Sequence, residues 1–179
     1  MKRKIAMLLL ATGLTMSVVG CGDTAESESN EPKTEASKPS ETKKEDKPIT
    51  GKVDKVSVDC AEGTLTYKKH EVINDEYDGS PLLLVYFDYT NKKEETSYSQ
   101  MTFNAQVFQN GVECDTYFND LENEALTNST KEIQKDTTLE IAYMFKLQDN
   151  TNPVTLKVTD QSVENLMNNY SQEQELALQ

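Results

Sequence analysis

The sequence predicts an all-β domain, a two-layer antiparallel sandwich, and three observations carry that reading. Leu139, Ile141, Tyr143, Phe145 and Leu147 alternate with Glu140, Ala142, Met144 and Lys146, the period-two signature of a strand with one buried face. Asn110-Gly111 between Phe108 and Val112 marks a tight primed hairpin turn, which needs positive φ at both central residues. The run PLLLVYFDYTN (residues 81–91) starts apolar on both faces, as a strand in the centre of a sheet would.

Taken in chain order, the first element is not part of the sandwich. Lys2, Arg3 and Lys4 precede an apolar run from Ile5 to Val19, and Cys21 follows Gly20. A short basic region with an apolar segment of this length reads as a secretory signal peptide over residues 1–20, too short for a comfortable transmembrane span. Val18-Val19-Gly20-Cys21 resembles the lipobox of bacterial lipoprotein precursors. The resemblance implies a diacylglyceryl group on the Cys21 thiol and cleavage between Gly20 and Cys21. It places the protein, lipid-anchored, on the outer face of the bacterial cytoplasmic membrane, since two acyl chains give lasting attachment where one is marginal.

Residues 21–50 hold the lipidated cysteine and a polar tether. Between Gly22 and Thr50 the chain is rich in Glu, Lys, Ser, Thr and Pro and nearly free of large apolar side chains. Such a segment cannot offset the entropy of ordering its backbone. A flexible chain of that length spans on the order of 30 Å end to end.

The domain itself is assigned to residues 51–170. Val53–Val58 and Leu65–Ile73 supply two weaker strands, followed by the strand at 81–91. Met101, Phe103, Ala105 and Val107 alternate with Thr102, Asn104 and Gln106, and Val154, Leu156 and Val158 with Thr155 and Lys157. A helical turn is expected around Asp120–Leu126. Val163, Leu166, Met167 and Tyr170 follow an i, i+3, i+4, i+7 spacing that predicts a short C-terminal helix capped near Asp160 or Ser162. Residues 171–179 are expected to be a polar tail.

The run LLLVYFDYTNKKEETSYSQMTFNAQVFQNGVE (residues 82–113) resembles the core of a Gram-positive surface-lipoprotein domain family of unknown function. The shared features are a strand ending in aromatic-x-x-Asn-Lys, a later Gln-Asn-Gly-Val, and a late strand like KEIQKDTTLEIAYMFKL (residues 131–147), with Lys135-Asp136 replacing the family's Pro-Gly turn. The resemblance implies an Ig-like β-sandwich behind a lipobox and polar linker. It implies no activity, because the family has no catalytic motif to map.

The chemistry available to the chain is sparse. From residue 51 on there are 10 Lys, no Arg and 23 Asp and Glu, within a whole-chain net charge of −13. That surface repels phosphate backbones and anionic headgroups, which excludes a nucleic-acid partner and leaves membrane affinity to the lipid on Cys21. A single histidine, His70, rules out zinc sites that need two or three. Strand parity places it with Thr66 and Lys68 on the solvent face. The seven glycines build no phosphate cradle and there is no G-x-S-x-G elbow.

Asn74, Glu76, Asp78 and Gly79 imitate the start of a calcium loop, but its twelfth position is Val85 in a strand, so a turn is the better reading. Glu94-Glu95 and Glu122 with Glu124 read as solvated charge rather than a glycosidase pair. Tyr86, Phe87 and Tyr89 read as core rather than a sugar platform. Cys60 and Cys114 leave two readings open. Outside the cell they can form a disulfide, worth roughly 4 kcal/mol in the chain-entropy model, or stay as two buried thiols.

No catalytic residue, metal or cofactor is therefore expected. The function anticipated is a non-catalytic interaction module, held to membrane lipid through diacylglyceryl-Cys21, with a cell-wall, surface-protein or host partner. The alternatives are a small-ligand- or cation-binding accessory protein and a cell-wall-active enzyme.

Overall fold

The computed structural model describes residues 50–178. Gly20, Cys21, the signal peptide and nearly all of the tether lie outside the described residues. The elements are β1 (Gly51–Lys52), β2 (Ser57–Asp59), β3 (Gly63–Asn74), β4 (Pro81–Asn91), a 3-10 turn (Ser99–Met101), β5 (Phe103–Gln109), β6 (Val112–Glu113), α1 (Glu124–Asn128), β7 (Thr138–Lys146), β8 (Val154–Asp160) and β9 (Ser171–Leu176).

They form two sheets, a β-sandwich as predicted. One has the order β1-β9-β8-β5-β6 and the other β2-β3-β4-β7. All pairings are antiparallel except β1 with β9. Inward residues of both sheets, among them Leu65, Leu83, Val85, Phe87, Tyr89, Phe103, Val107, Ile141, Phe145, Leu156 and Val158, build the core between them. The Asn110-Gly111 turn has φ of 52° and 80°, the primed geometry its sequence demands. Met101 falls in the 3-10 turn and is exposed, so β5 starts two residues later than the alternation suggests.

β4 is buried on both faces, for a reason beyond its central place in the sheet. Leu82, Leu84 and Tyr86 point away from the sandwich core, yet they are covered. With Ala142 and Met144 of β7 they form a second apolar cluster under Ala125, completed by Ile73, Tyr117, Leu121 and Leu126. The segment between β6 and β7 thus folds back as a third layer on the outer face of the β2-β3-β4-β7 sheet.

Three expectations change. No helix forms at 163–170, where the chain makes turns closed by i→i+3 bonds, Asn165 N–H to Ser162 O and Asn168 N–H to Asn165 O. Asn165, Asn168 and Asn169 favour turns, and Asn169 takes a positive φ of 51°. Val163, Leu166 and Met167 also find no surface to bury against, without which so short a helix is unstable. The sandwich does not end at residue 170 either, because part of the supposed polar tail is β9. Its inward Gln172 takes the place of an apolar residue by pairing with the backbone of Ser57, accepting at 2.7 Å and donating at 2.9 Å, while the Gln174 side chain accepts from Val56 N–H at 2.9 Å.

The third change concerns His70. A bulge between Tyr67 and Lys69 reverses strand parity. His70 therefore leaves the face of Thr66 and Lys68 and is half-buried, its Nδ1 2.7 Å from Tyr67 Oη and its Nε2 2.8 Å from the Ala177 carbonyl.

Candidate functional site

The added layer shapes a concave surface beside exposed aromatic side chains. After β6 the chain is fastened to the free edge of β7. Tyr117 N–H donates to Met144 O at 2.8 Å and Lys146 N–H to Asp115 O at 2.9 Å, around a Thr116–Phe145 bridge. It then crosses the sheet to α1. Asn123 caps that helix, its side chain accepting from Leu126 N–H at 3.1 Å while its amide donates to Tyr86 Oη at 2.9 Å. Asn128 closes the layer by donating to Glu140 O at 3.1 Å. Because one side chain holds both the helix end and β4, Asn123→Ala is expected to cost about 1–2 kcal/mol, read as a lowered urea midpoint.

Between this layer and β7 lies a groove of about 430 Å³ lined by Tyr117, Phe118, Leu121, Leu126, Tyr143 and Met144 among others. A second hollow of about 500 Å³ adjoins it through Asn119 and Leu121 and is walled by Ile73, Glu76, Tyr77, Asp120 and Glu122. Phe118 and Tyr77 are 81% and 80% exposed. An apolar floor, two projecting aromatic rings and a carboxylate rim give this surface the composition of a binding site.

The rim is set by the turn that imitates a calcium loop. Asp75 is buried and its Oδ1 accepts from Tyr77 N–H at 2.7 Å. The Tyr117 phenol and then this backbone N–H hold its carboxyl below the usual range, and Asp75 in return pushes the phenol up to about 12. Gly79 has a φ of 71°, so the segment is a turn built on its own hydrogen bonds. Among the described residues no cluster of three or more His, Cys, Asp or Glu side chains could hold a metal.

Two further carboxylates, Asp78 in this same turn and Asp149 in the turn before β8, predict acid sensitivity. Ser80, through hydroxyl and backbone N–H, and then Lys146 hold Asp78 at about 2. The N–H groups of Asn152 and Thr151 hold Asp149 well below the carboxylate range. Both groups bind fewer protons folded than unfolded, so their stabilisation is complete above the ordinary value of 3.8 and disappears as pH falls through the folded values. The melting temperature is expected to drop between about pH 4 and pH 2, and less steeply in Asp149→Ala.

The remaining candidates are dispersed. Glu94 pairs with Lys135, Glu122 lies on the wall of the hollow, and Glu124 opens α1. Tyr86, Phe87 and Tyr89 are buried. Cys60 and Cys114 are free thiols, so the disulfide alternative gives way to that of two separate thiols, with Cys60 only half-buried. Cys60 sits near Asp160, which pairs with Phe103, whereas Cys114 bonds the backbone of Val107. Burial pushes both thiols up, which disfavours the thiolate form.

Phe118, Tyr77 and the folded-back layer were not singled out by the sequence reading. Their one legible sign is the apolar set Tyr117, Phe118, Leu121 and Leu126 inside an otherwise acidic stretch, next to a strand apolar on both faces.

Two solved structures share the fold. One, described as a "putative lipoprotein" from Staphylococcus aureus, superposes with a TM-score of 0.55 at 11% identity, covering 68% of this chain and 88% of that one. The other, a "putative lipoprotein" from Bacillus subtilis, gives 0.50 at 17% identity, covering 69% of this chain and 38% of that one. No curated protein matches the chain. A family model described as "Domain of unknown function (DUF5067)" matches residues 37–160, stopping at the end of β8.

Proposed function

The chain belongs to the DUF5067 family, a domain of unknown function, and from there we propose that it is a lipid-anchored, extracytoplasmic, non-catalytic interaction module. Cys21, acylated after cleavage behind Gly20, holds the protein on the outer face of the cytoplasmic membrane. The tether carries an Ig-like sandwich whose binding surface is the groove beneath the 116–130 layer. The names of the two solved neighbours and the Val18-Val19-Gly20-Cys21 sequence support the anchor.

One observation carries the binding role. Phe118 on the apolar groove and Tyr77 on the adjoining hollow project almost fully into solvent, although the same layer half-buries Tyr117 and Leu126 beside them. Exposed aromatic anchors beside a shaped hollow are the usual composition of a protein-binding hot spot. The carboxylates Glu76, Asp120 and Glu122 favour a basic rim on the partner.

A photo-crosslinking residue in place of Tyr77, introduced in intact cells, tests this. It is expected to capture one stoichiometric partner, and Phe118→Ser to abolish the capture while changing stability by no more than about 0.5 kcal/mol. Capture unaffected by Phe118→Ser would refute the groove as the interface. The size of the groove also favours a second reading, a small apolar ligand. In that case a hydrophobic probe dye would bind the purified protein, lose its fluorescence on Phe118→Ser, and raise the melting temperature.

A further inference from the structure

The N-terminal segment joins the sandwich at the end where β8 passes into β9. Gly51 lies beside Gln172 in the parallel β1–β9 pairing, and β9 begins at Ser171. The loop 161–170 therefore lies at the end of the domain where the described chain begins. It turns Val163, Leu166 and Met167 outward, with exposures of 86%, 59% and 89%.

The base of this loop is firmly built. Asp160 is buried, and its carboxylate accepts from Ser162 N–H and from the Asn165 amide, both at 2.8 Å. Gln161 N–H donates to Thr102 O, and Val163 N–H to the Glu62 side chain, each at 2.8 Å. Three large apolar side chains are thus held out to solvent on an ordered platform, where a chain with no use for them would carry polar residues.

Acidic side chains lie at both ends of the domain. Around the loop, Lys92 pairs with Asp59, Lys93 with Glu62 and Lys135 with Glu94. At the far end Asp75, Glu76, Asp115, Asp120 and Glu122 cluster, while Lys146 is taken by Asp78. The loop itself carries the exposed Glu164, so its seat on a membrane rests on the three apolar side chains and not on charge.

We propose that the 161–170 loop is the membrane-facing tip of the domain, seating Val163, Leu166 and Met167 in the headgroup layer of the bilayer that anchors the chain. The inference rests on the reading of Cys21 as that anchor, because the tether is what brings this end to the lipid. Acylation supplies retention, and the loop supplies orientation. With the tip on the membrane, the groove and its acidic rim at the Asn74–Pro81 end face away from it, toward partners.

The chain contains no tryptophan, so one introduced residue reports alone. Leu166→Trp places it on the tip and Val112→Trp, exposed at the start of β6, at the opposite end. The chain from Cys21 onward, with a polyhistidine tag replacing the signal peptide, is bound to phosphatidylcholine vesicles containing a nickel-chelating lipid and brominated acyl chains. Leu166→Trp is expected to emit at shorter wavelength and lose most of its intensity, while Val112→Trp keeps both. Adding Val163→Ser and Met167→Ser, exposed positions where folding is indifferent, is expected to restore the Leu166→Trp emission.

Equal quenching of both reporters, or none of either on bound protein, overturns the proposal. So does a concentration-dependent shift of Leu166→Trp without vesicles, which would assign the tip to a second copy of the chain. The tag stands in for acylation, so this readout is independent of whether Cys21 is lipidated, and that reading fails separately if the native chain takes up no fatty acid.

Discussion

Phe87→Ala is expected to lower the unfolding free energy by about 3–5 kcal/mol, a large part of what a domain of this size possesses. Phe87 is fully buried at the middle of β4, opposite Tyr67 on one side and Ile141 on the other. Its ring meets Tyr67 edge-on at 6.5 Å between centroids and Tyr143 at 5.8 Å. Both neighbours are fixed by strand pairing, and Tyr143 further by its hydrogen bond to Ser99, so the hole cannot close. A urea titration should show the midpoint falling sharply with the slope preserved. A midpoint within experimental error of the parent would mean that the two sheets do not pack through this residue.

Gln109→Leu is expected to cost about 3 kcal/mol although it keeps the side-chain volume. Gln109 is fully buried at the end of β5 and serves the backbone of the turn before β8. Its amide donates to Asp149 O at 2.9 Å and Asn152 O at 3.0 Å, and its carbonyl accepts from Gln148 N–H at 2.7 Å and Asp149 N–H at 3.2 Å. Leucine would strand those groups away from water, and each buried unpaired group costs on the order of 1–3 kcal/mol. Hydrogen exchange should show the Gln148 and Asp149 amides losing protection in the variant. Retained protection would show that the turn holds itself.

Both predictions fall where local pattern and tertiary need coincide or part. β4, β7 and β8 were legible because alternation or an unbroken apolar run states burial directly. The hairpin was legible because Asn110-Gly111 admits few other conformations. β9 was not, since its inward Gln172 and Gln174 read as solvent-facing until their backbone partners at Val56 and Ser57 are known. The spacing of Val163, Leu166 and Met167 imitated a helix because periodicity records which residues could share a face, not whether anything exists to cover it. His70 was misplaced by one bulged residue, which reverses the parity on which strand reasoning depends.

The candidate site was the least legible part. Its floor, Leu82, Leu84, Ala142 and Met144, was visible as excess apolarity, but its roof comes from an acidic segment with no strand pattern and a five-residue helix. Only the fold-back brings Tyr117 beside Asp75, more than forty positions earlier in the chain. By contrast the expectation for Cys21 rests on Val18-Val19-Gly20-Cys21, a short linear pattern that involves no tertiary contact.

In the proposed function, lipid on Cys21 sets where every surface described above does its work. Cells producing the protein, fed an alkyne-bearing fatty acid, should yield a labelled membrane-bound chain with Cys21 as its mature N-terminus, and Cys21→Ala should be unlabelled. An unlabelled native protein, or label that survives Cys21→Ala, would contradict the anchored module.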